Sequence, residues 1–280
     1  MKRLHFAFLF LASNLPAGEI LQVEMIPKKV ILDRLRDFPL KNFDRQDRVR
    51  ALFSEIGCPK IVDVPLGKKP YPANILCIFP GQTERTILVG AHFDKSEKGE
   101  GKIDNGSGSV LLSALGRSLQ AQRRRHTLIF AAFADEEKGL LGSAFLAKKG
   151  FEETPAKQFI GNLSAMINID SVGAGPTSLA LSQSDRELTG VVIAMADFLK
   201  LPRRVVNVDA VGDSDGSTFR KQNVPTVQIH SLDNDNWKRL HTPQDNMTGI
   251  LENEYYDTYR LIAFLIAQLD IQLDVSSRTQ

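Results

Sequence analysis

Cysteine is scarce in this chain: Cys58 and Cys77 are the two among 280 residues. So sparse a set excludes both the dense disulfide framework of small secreted domains and a four-thiolate zinc site. Cys77 lies in the strand-like run NILCIF, where either one disulfide with Cys58 or a plain buried thiol fits the pattern. Charge of one sign is missing too. Lys and Arg number 35 against 33 Asp and Glu, a formal net charge of +2, which leaves no electrostatic footprint for nucleic acid or an anionic membrane. The basic run Arg123, Arg124, Arg125 reads as the solvated entry to a strand, and His126 beside it as a surface residue.

Long apolar runs are also lacking, and no stretch reaches the roughly 20 residues of a membrane span. Lys2 and Arg3 precede the apolar stretch from Leu4 to Ala12, and Ala17 and Gly18 follow. That order fits a secretory signal over residues 1–18, which would make residues 19–280 the mature domain of an exported protein, periplasmic or extracellular. An apolar N-terminal strand or helix is the alternative. Several catalytic signatures are absent as well: HExxH, GxGxxG and GxxxxGK[ST]. DSDGST at 213–218 superficially resembles a calcium loop, but Thr218 stands at the position that needs glycine and Val224 at the closing glutamate, so that reading fails.

What is present is alternation. A helical stretch spans Asp33 to Ile56, and after it strand-like runs (NILCIF, TILVGAHF, TLIFAAFA, AMINID, SLALS, VVNVDAV, TVQIHS) interleave with helix-like ones. The helices are expected at Ser109–Leu119, Leu141–Lys148, Arg186–Leu199, near Thr218, and Glu254–Leu269. This pattern predicts a single α/β domain with a mixed, largely parallel central sheet sandwiched between helices. No internal repeat, low-complexity tract or linker interrupts it.

In such sheets ligands gather beyond the carboxyl ends of the strands. His92 and Asp94 end TILVGAHFD, Glu136 and Glu137 end the next strong strand, Asp170 ends AMINID and His230 ends TVQIH; Asp104 and His241 lie in loops. Carboxylates at the end of a strand buried on both faces are costly unless a cation offsets them. Neighbouring side chains of extended backbone point in nearly opposite directions, so Glu136 and Glu137 are expected to do different things. One can hold a cation and the other can accept a proton from activated water. Carboxylates and imidazoles without thiolates point to zinc ahead of manganese or cobalt.

The ordered set AHFD, IDNGSGS, FADEEKGLLGS, NIDSVG, SDGSTF and HTPQD resembles the M28 family of zinc-dependent exopeptidases, over residues 86–250. The resemblance implies two zinc ions: His92 and Asp170 on one, Glu137 and His241 on the other, and Asp104 bridging. It implies Glu136 as the general base and Asp94 as the partner of the His92 imidazole N–H. It also implies a cis peptide between Asp104 and Asn105.

The activity implied is removal of N-terminal residues from peptides, so the partner is a peptide with a free N-terminus; oligomeric state is left open. A glutaminyl cyclase with one zinc shares the fold and similar motifs, and a non-catalytic binding protein of the same fold is the third reading. Where many relatives carry histidine after the Ser-Asp pair, Gly216 follows Asp215. A substrate-side donor is therefore either missing or supplied by His230, which reads equally as pocket wall and as a satisfied structural histidine. Asn105 begins an Asn-x-Ser sequon, expected to stay unmodified because a glycan there would block the metal loop.

Overall fold

The computed structural model describes residues 4–6, 21–67, 72–120, 124–151 and 154–272. Apart from Leu4–Phe6, which pairs antiparallel with Leu21–Val23, the stretch read as a signal lies outside the described residues.

Eight strands form one sheet: Lys60–Pro65 (β1), Ala73–Phe79 (β2), Thr86–His92 (β3), Thr127–Phe133 (β4), Leu163–Ile169 (β5), Thr177–Leu179 (β6), Arg203–Val205 (β7) and Thr226–His230 (β8). In space they run β7-β6-β8-β5-β3-β4-β2-β1. The central four, β4, β3, β5 and β8, are mutually parallel, and the strands beside them, β2 and β6, run antiparallel. Parallel strands require crossover connections, which helices supply. All four carboxyl ends therefore open on the same edge of the sheet.

Both faces of the central strands are buried, and their side chains divide by the period of two. Ile87, Val89 and Ala91 of β3 join one core cluster with Phe130, Ala132, Ile167, Ile169, Val227 and Ile229. Leu88, Ile129, Ala131, Phe133 and Met166 point the other way into a second cluster. The larger cluster packs against helices Lys28–Arg36 (α1), Asn42–Glu55 (α2), Ser107–Leu119 (α3), Arg186–Leu199 (α6) and Glu252–Gln272 (α8). The smaller one packs against Leu141–Lys149 (α4), Ala156–Asn162 (α5) and Gly216–Arg220 (α7). Gly90 permits the close approach of β3 and β4, because a Cβ there would stand 2.4 Å from the Phe133 ring.

Several boundaries differ from expectation. The helical stretch at 33–56 is two helices, α1 and α2, broken around Pro39, whose ring disfavours helical backbone in the residue before it. Of VVNVDAV only Val205 lies in the sheet, at the end of the strand Arg203–Val205, and β1 is an additional edge strand. Cys58 and Cys77 are disulfide-bonded with Cα atoms 5.9 Å apart, fastening the segment after α2 to β2. The strand entry at 124–126 is not a solvated surface. Arg124 is buried and donates from Nε to the Leu119 carbonyl, and His126 is fully buried. The Asp270 carboxylate of α8 accepts the backbone N–H of both Arg125 and His126. That anchor, 144 residues away in sequence for His126, overrides the polar local context.

Candidate metal centre

Three central strands deliver side chains to one point. β3 ends in His92, buried at 1% exposure. β4 runs into Ala134 and a tight loop closed by its own backbone: Leu140 N–H donates to the Glu136 carbonyl, Leu141 N–H to Asp135 and Gly142 N–H to Ala134. Asp135 adopts φ 54° in that loop. Gly142 is required where it stands, since a Cβ would meet the Asn74 Oδ1 at 2.3 Å and the Ala134 carbonyl at 2.4 Å. The Asn74 amide fastens the same loop to β2, accepting from Ala134 N–H and donating to the Gly142 carbonyl. Asp170 follows β5 directly.

Asp104 enters from the irregular turn before α3, and its peptide bond to Asn105 is cis. The Asp245 carboxylate accepts the N–H of Ile103 at 2.6 Å and of Asp104 at 3.4 Å. The Asn105 amide joins this turn to the end of β5, donating to the Ile169 carbonyl and accepting the N–H of Gly108 and Ser171. Asn105 is completely buried, so its sequon offers no folded-state acceptor for a glycan.

The two oxygens of Asp104 face two different imidazoles. Oδ1 lies 3.2 Å from His92 Nε2, and Oδ2 lies 3.1 Å from His241 Nε2. Asp170 Oδ1 is 3.4 Å from the same His92 nitrogen, and Glu137 Oε2 is 3.1 Å from the same His241 nitrogen. Two cradles result, His92–Asp104–Asp170 and Asp104–Glu137–His241, each with its donor atoms within 4.8 Å of one another. Asp104 is common to both. The first is buried, and the second opens to solvent through His241, whose side chain is 56% exposed.

The electrostatics are those of a site built for cations. Burial opposes charge on His92, but Glu136, Asp104, Asp170 and Asp94 outweigh it and hold its pKa well above the ordinary value. Asp104 and Glu137 raise His241 to about 10. Asp104 sits well below the usual carboxylate range because His241 and His92 outweigh its burial. Burial pushes Glu136 up to about 9, with His92 opposing and Asp215, Asp170 and Asp104 adding to the shift. His92 Nε2 and Glu137 Oε1 are buried without a properly directed hydrogen bond. Orphaned donor atoms converging on carboxylates, with hard oxygen and imidazole ligands only, fit a divalent ion such as zinc.

The neighbours of the cradles are themselves held. Asp170 Oδ2 accepts from Ser214 Oγ, which accepts in turn from the Asn168 amide. His92 Nδ1 meets the main-chain carbonyl of Asp94 at 3.1 Å, while the Asp94 carboxylate stands 3.6 Å away. The carboxylate also accepts the N–H groups of Glu136 and Glu137. Asp94 thus partners the His92 Nδ1 chiefly through its main-chain carbonyl, with its carboxylate alongside and shared with the two N–H groups. His230 is a hydrogen-bonded histidine in a cleft wall: Nδ1 accepts the Leu232 N–H and Nε2 donates to the Val206 carbonyl, so neither nitrogen is free for a substrate. Burial lowers it to about 4, which keeps it neutral. Gly216 packs 3.0 Å, at its hypothetical Cβ, from Thr226, which leaves no room for a histidine without a shift. Asp215 is fully buried with both oxygens unpartnered, and burial raises it to about 7. Asp245, the last residue of HTPQD, and Arg45, which lies in no motif, both contact the metal loop, and the sequence pattern assigned neither a role.

Residues 74–266 match Peptidase family M28. The chain belongs to the M28 peptidase family. Among curated relatives of this M28 chain, a "probable leucine aminopeptidase" of Trichophyton verrucosum is 31% identical over 62% of the chain and 51% of that protein. The chain spans about half the length of several such relatives. Among solved structures, a Zn-dependent exopeptidase from Parabacteroides distasonis superposes with a TM-score of 0.72 at 16% identity, covering 88% of this chain and 99% of the other. An Acidobacteriales bacterium glutaminyl cyclase gives 0.69 at 16% identity over 95% and 99%. Both share the fold.

Proposed function

We propose that this M28 chain is an exported zinc aminopeptidase that binds two zinc ions. The observation that carries this reading is the single carboxylate, Asp104, facing His92 with one oxygen and His241 with the other, each pairing completed by a further acid. His92 and Asp170 would hold one zinc, Glu137 and His241 the other, and Asp104 both. Zinc there would supply Lewis acidity, polarising the scissile carbonyl and lowering the pKa of water.

The rest belongs to the chain. Glu136 extends from the same loop as Glu137, and its carboxyl holds a proton readily where burial keeps it. In this reading Glu136, ionised where cations fill the two cradles, takes a proton from the attacking water and returns it to the leaving amine. Asp94 fixes its main chain. An open cleft begins at Asp170 and is walled by Ala180, Val208, Val211, Leu232 and His230, with the neutral polar Gln183, Ser214 and Gln228 among them. Its largely uncharged walls suit the side chain of a neutral N-terminal residue.

The disulfide between Cys58 and Cys77 supports export, because such bonds persist in oxidising compartments. No helix among the described residues is long and apolar enough to cross a membrane. Assay of the purified chain against a panel of aminoacyl-anilides, with chelation and zinc restoration, tests the reading. Hydrolysis that chelation abolishes and zinc restores is expected. Cyclisation of Gln-peptides without anilide hydrolysis would transfer the chain to the cyclase reading.

A further inference from the structure

Resting on the two-metal reading above, we propose that Arg45 of α2 is a positioning residue that sets the spacing between His92 and Asp104. Arg45 lies outside residues 74–266 that match the family, and its side chain is fully buried. A buried guanidinium is costly unless its donors are all engaged, and this one is engaged by main-chain carbonyls. Nε donates to Pro39, Nη1 to Phe93 at 3.0 Å, and Nη2 to Glu100 and Gly101 at 2.6 and 2.9 Å.

Three of those four carbonyls belong to the segment that joins the two ligands. Phe93 directly follows His92, and Gly101 stands three residues before Asp104. One rigid planar fork thus pins both ends of the excursion from β3 to the metal turn, which a flexible or apolar side chain cannot do. The Phe38 ring lies under the guanidinium at 5.1 Å and fixes its plane. Lys102, two residues before Asp104, repeats the device from the loop side, with Nζ donating to the carbonyls of Leu35, Arg36 and Phe38. Gly101 is shaped to the contact: its φ is +62°, and a Cβ would stand 2.8 Å from Arg45 Nη2 and 2.9 Å from the Asp104 carbonyl.

The N-terminal helices therefore act on the metal site. Burial lowers Arg45 only to about 10, so it remains a cation at neutral pH. Its charge lies near Asp245, Asp104, Asp94 and Glu137 and holds the loop toward the acids.

The test compares the full-length wild type with Arg45→Lys, Gly101→Ala and Tyr259→Phe. The last removes a buried hydroxyl bonded to Ile26 and Ser118, remote from the loop. Zinc affinity against a competing chelator, the visible spectrum of the cobalt(II)-loaded protein, kcat and KM are measured with thermal unfolding. Arg45→Lys and Gly101→Ala are expected to weaken zinc by about tenfold or more and to shift the cobalt bands. Their kcat should fall with KM within about twofold, while Tyr259→Phe loses thermal stability and leaves zinc and the cobalt spectrum unchanged. If Arg45→Lys fails to fold, Gly101→Ala decides. Zinc held equally by wild type and both loop variants, with the same cobalt bands, overturns this proposal alone. A wild type that holds no zinc overturns the metal reading as well.

Discussion

The carboxylate of Asp94 accepts the backbone N–H of Glu136 at 3.0 Å, and its second oxygen accepts that of Glu137 at 3.2 Å. One strand end therefore fixes the main chain of two adjacent acids with different tasks. Asp94→Ala would leave two partly buried N–H groups without an acceptor. A fall in kcat of about tenfold to a hundredfold is expected, with the larger share of the fold's stability retained. Asn at this position keeps one acceptor oxygen, so it should recover part of the loss. Steady-state kinetics with thermal unfolding of both variants checks this; equal kinetics for wild type and Asp94→Ala would contradict it.

Glu136→Gln preserves shape and removes the proton acceptor. Turnover should fall by about a thousandfold, within the range for loss of a general base, while zinc content stays at the wild-type level. Metal analysis of the same preparation separates this from loss of the site. A variant that lost zinc in parallel would place Glu136 among the ligands.

Zinc binding should release protons and strengthen as pH rises. Without the metal, His241 titrates near 10 and His92 well above its ordinary value, so both are protonated at neutral pH and zinc must displace those protons. Titration calorimetry in two buffers of different ionisation enthalpy should show release of at least about two protons per chain at pH 7, one from each imidazole, with Glu136 adding to them as it ionises. No net release would contradict the His92 and His241 ligation.

His230 contributes acid lability of the fold. Its folded-state pKa is lowered to about 4, below the roughly 6.5 of an unfolded histidine. Its contribution is then complete above about pH 6.5 and is lost as pH falls toward 4, about 3 kcal/mol in all. Urea unfolding across that window should show a steeper decline for wild type than for His230→Gln. Parallel declines would remove His230 as the cause.

The strand ends were legible in the chain because apolar runs that stop in acids or imidazoles are physically odd without a cation; His92, Glu136, Glu137 and Asp170 announce themselves that way. Asp104 and His241 sit in loops, and only their place in an ordered motif set marked them. Contacts made through the main chain were not legible. The four carbonyls on Arg45 belong to any residue type, and Asp245 reaches the N–H of Ile103 across 142 positions. The His126 environment shows the converse: three neighbouring arginines suggested solvent, whereas Asp270 on α8 draws that strand entry inward. The helix break near Pro39 lay within view of the sequence, but the apolar spacing on both sides of it masked the change of direction.

Anomalous diffraction at the zinc edge, from crystals of the zinc-loaded chain, tests the central claim most directly. Two peaks about 3.5–4 Å apart are expected, one between His92 and Asp170, the other between Glu137 and His241, with Asp104 touching both. A lone peak, or none beside Asp104, would contradict it.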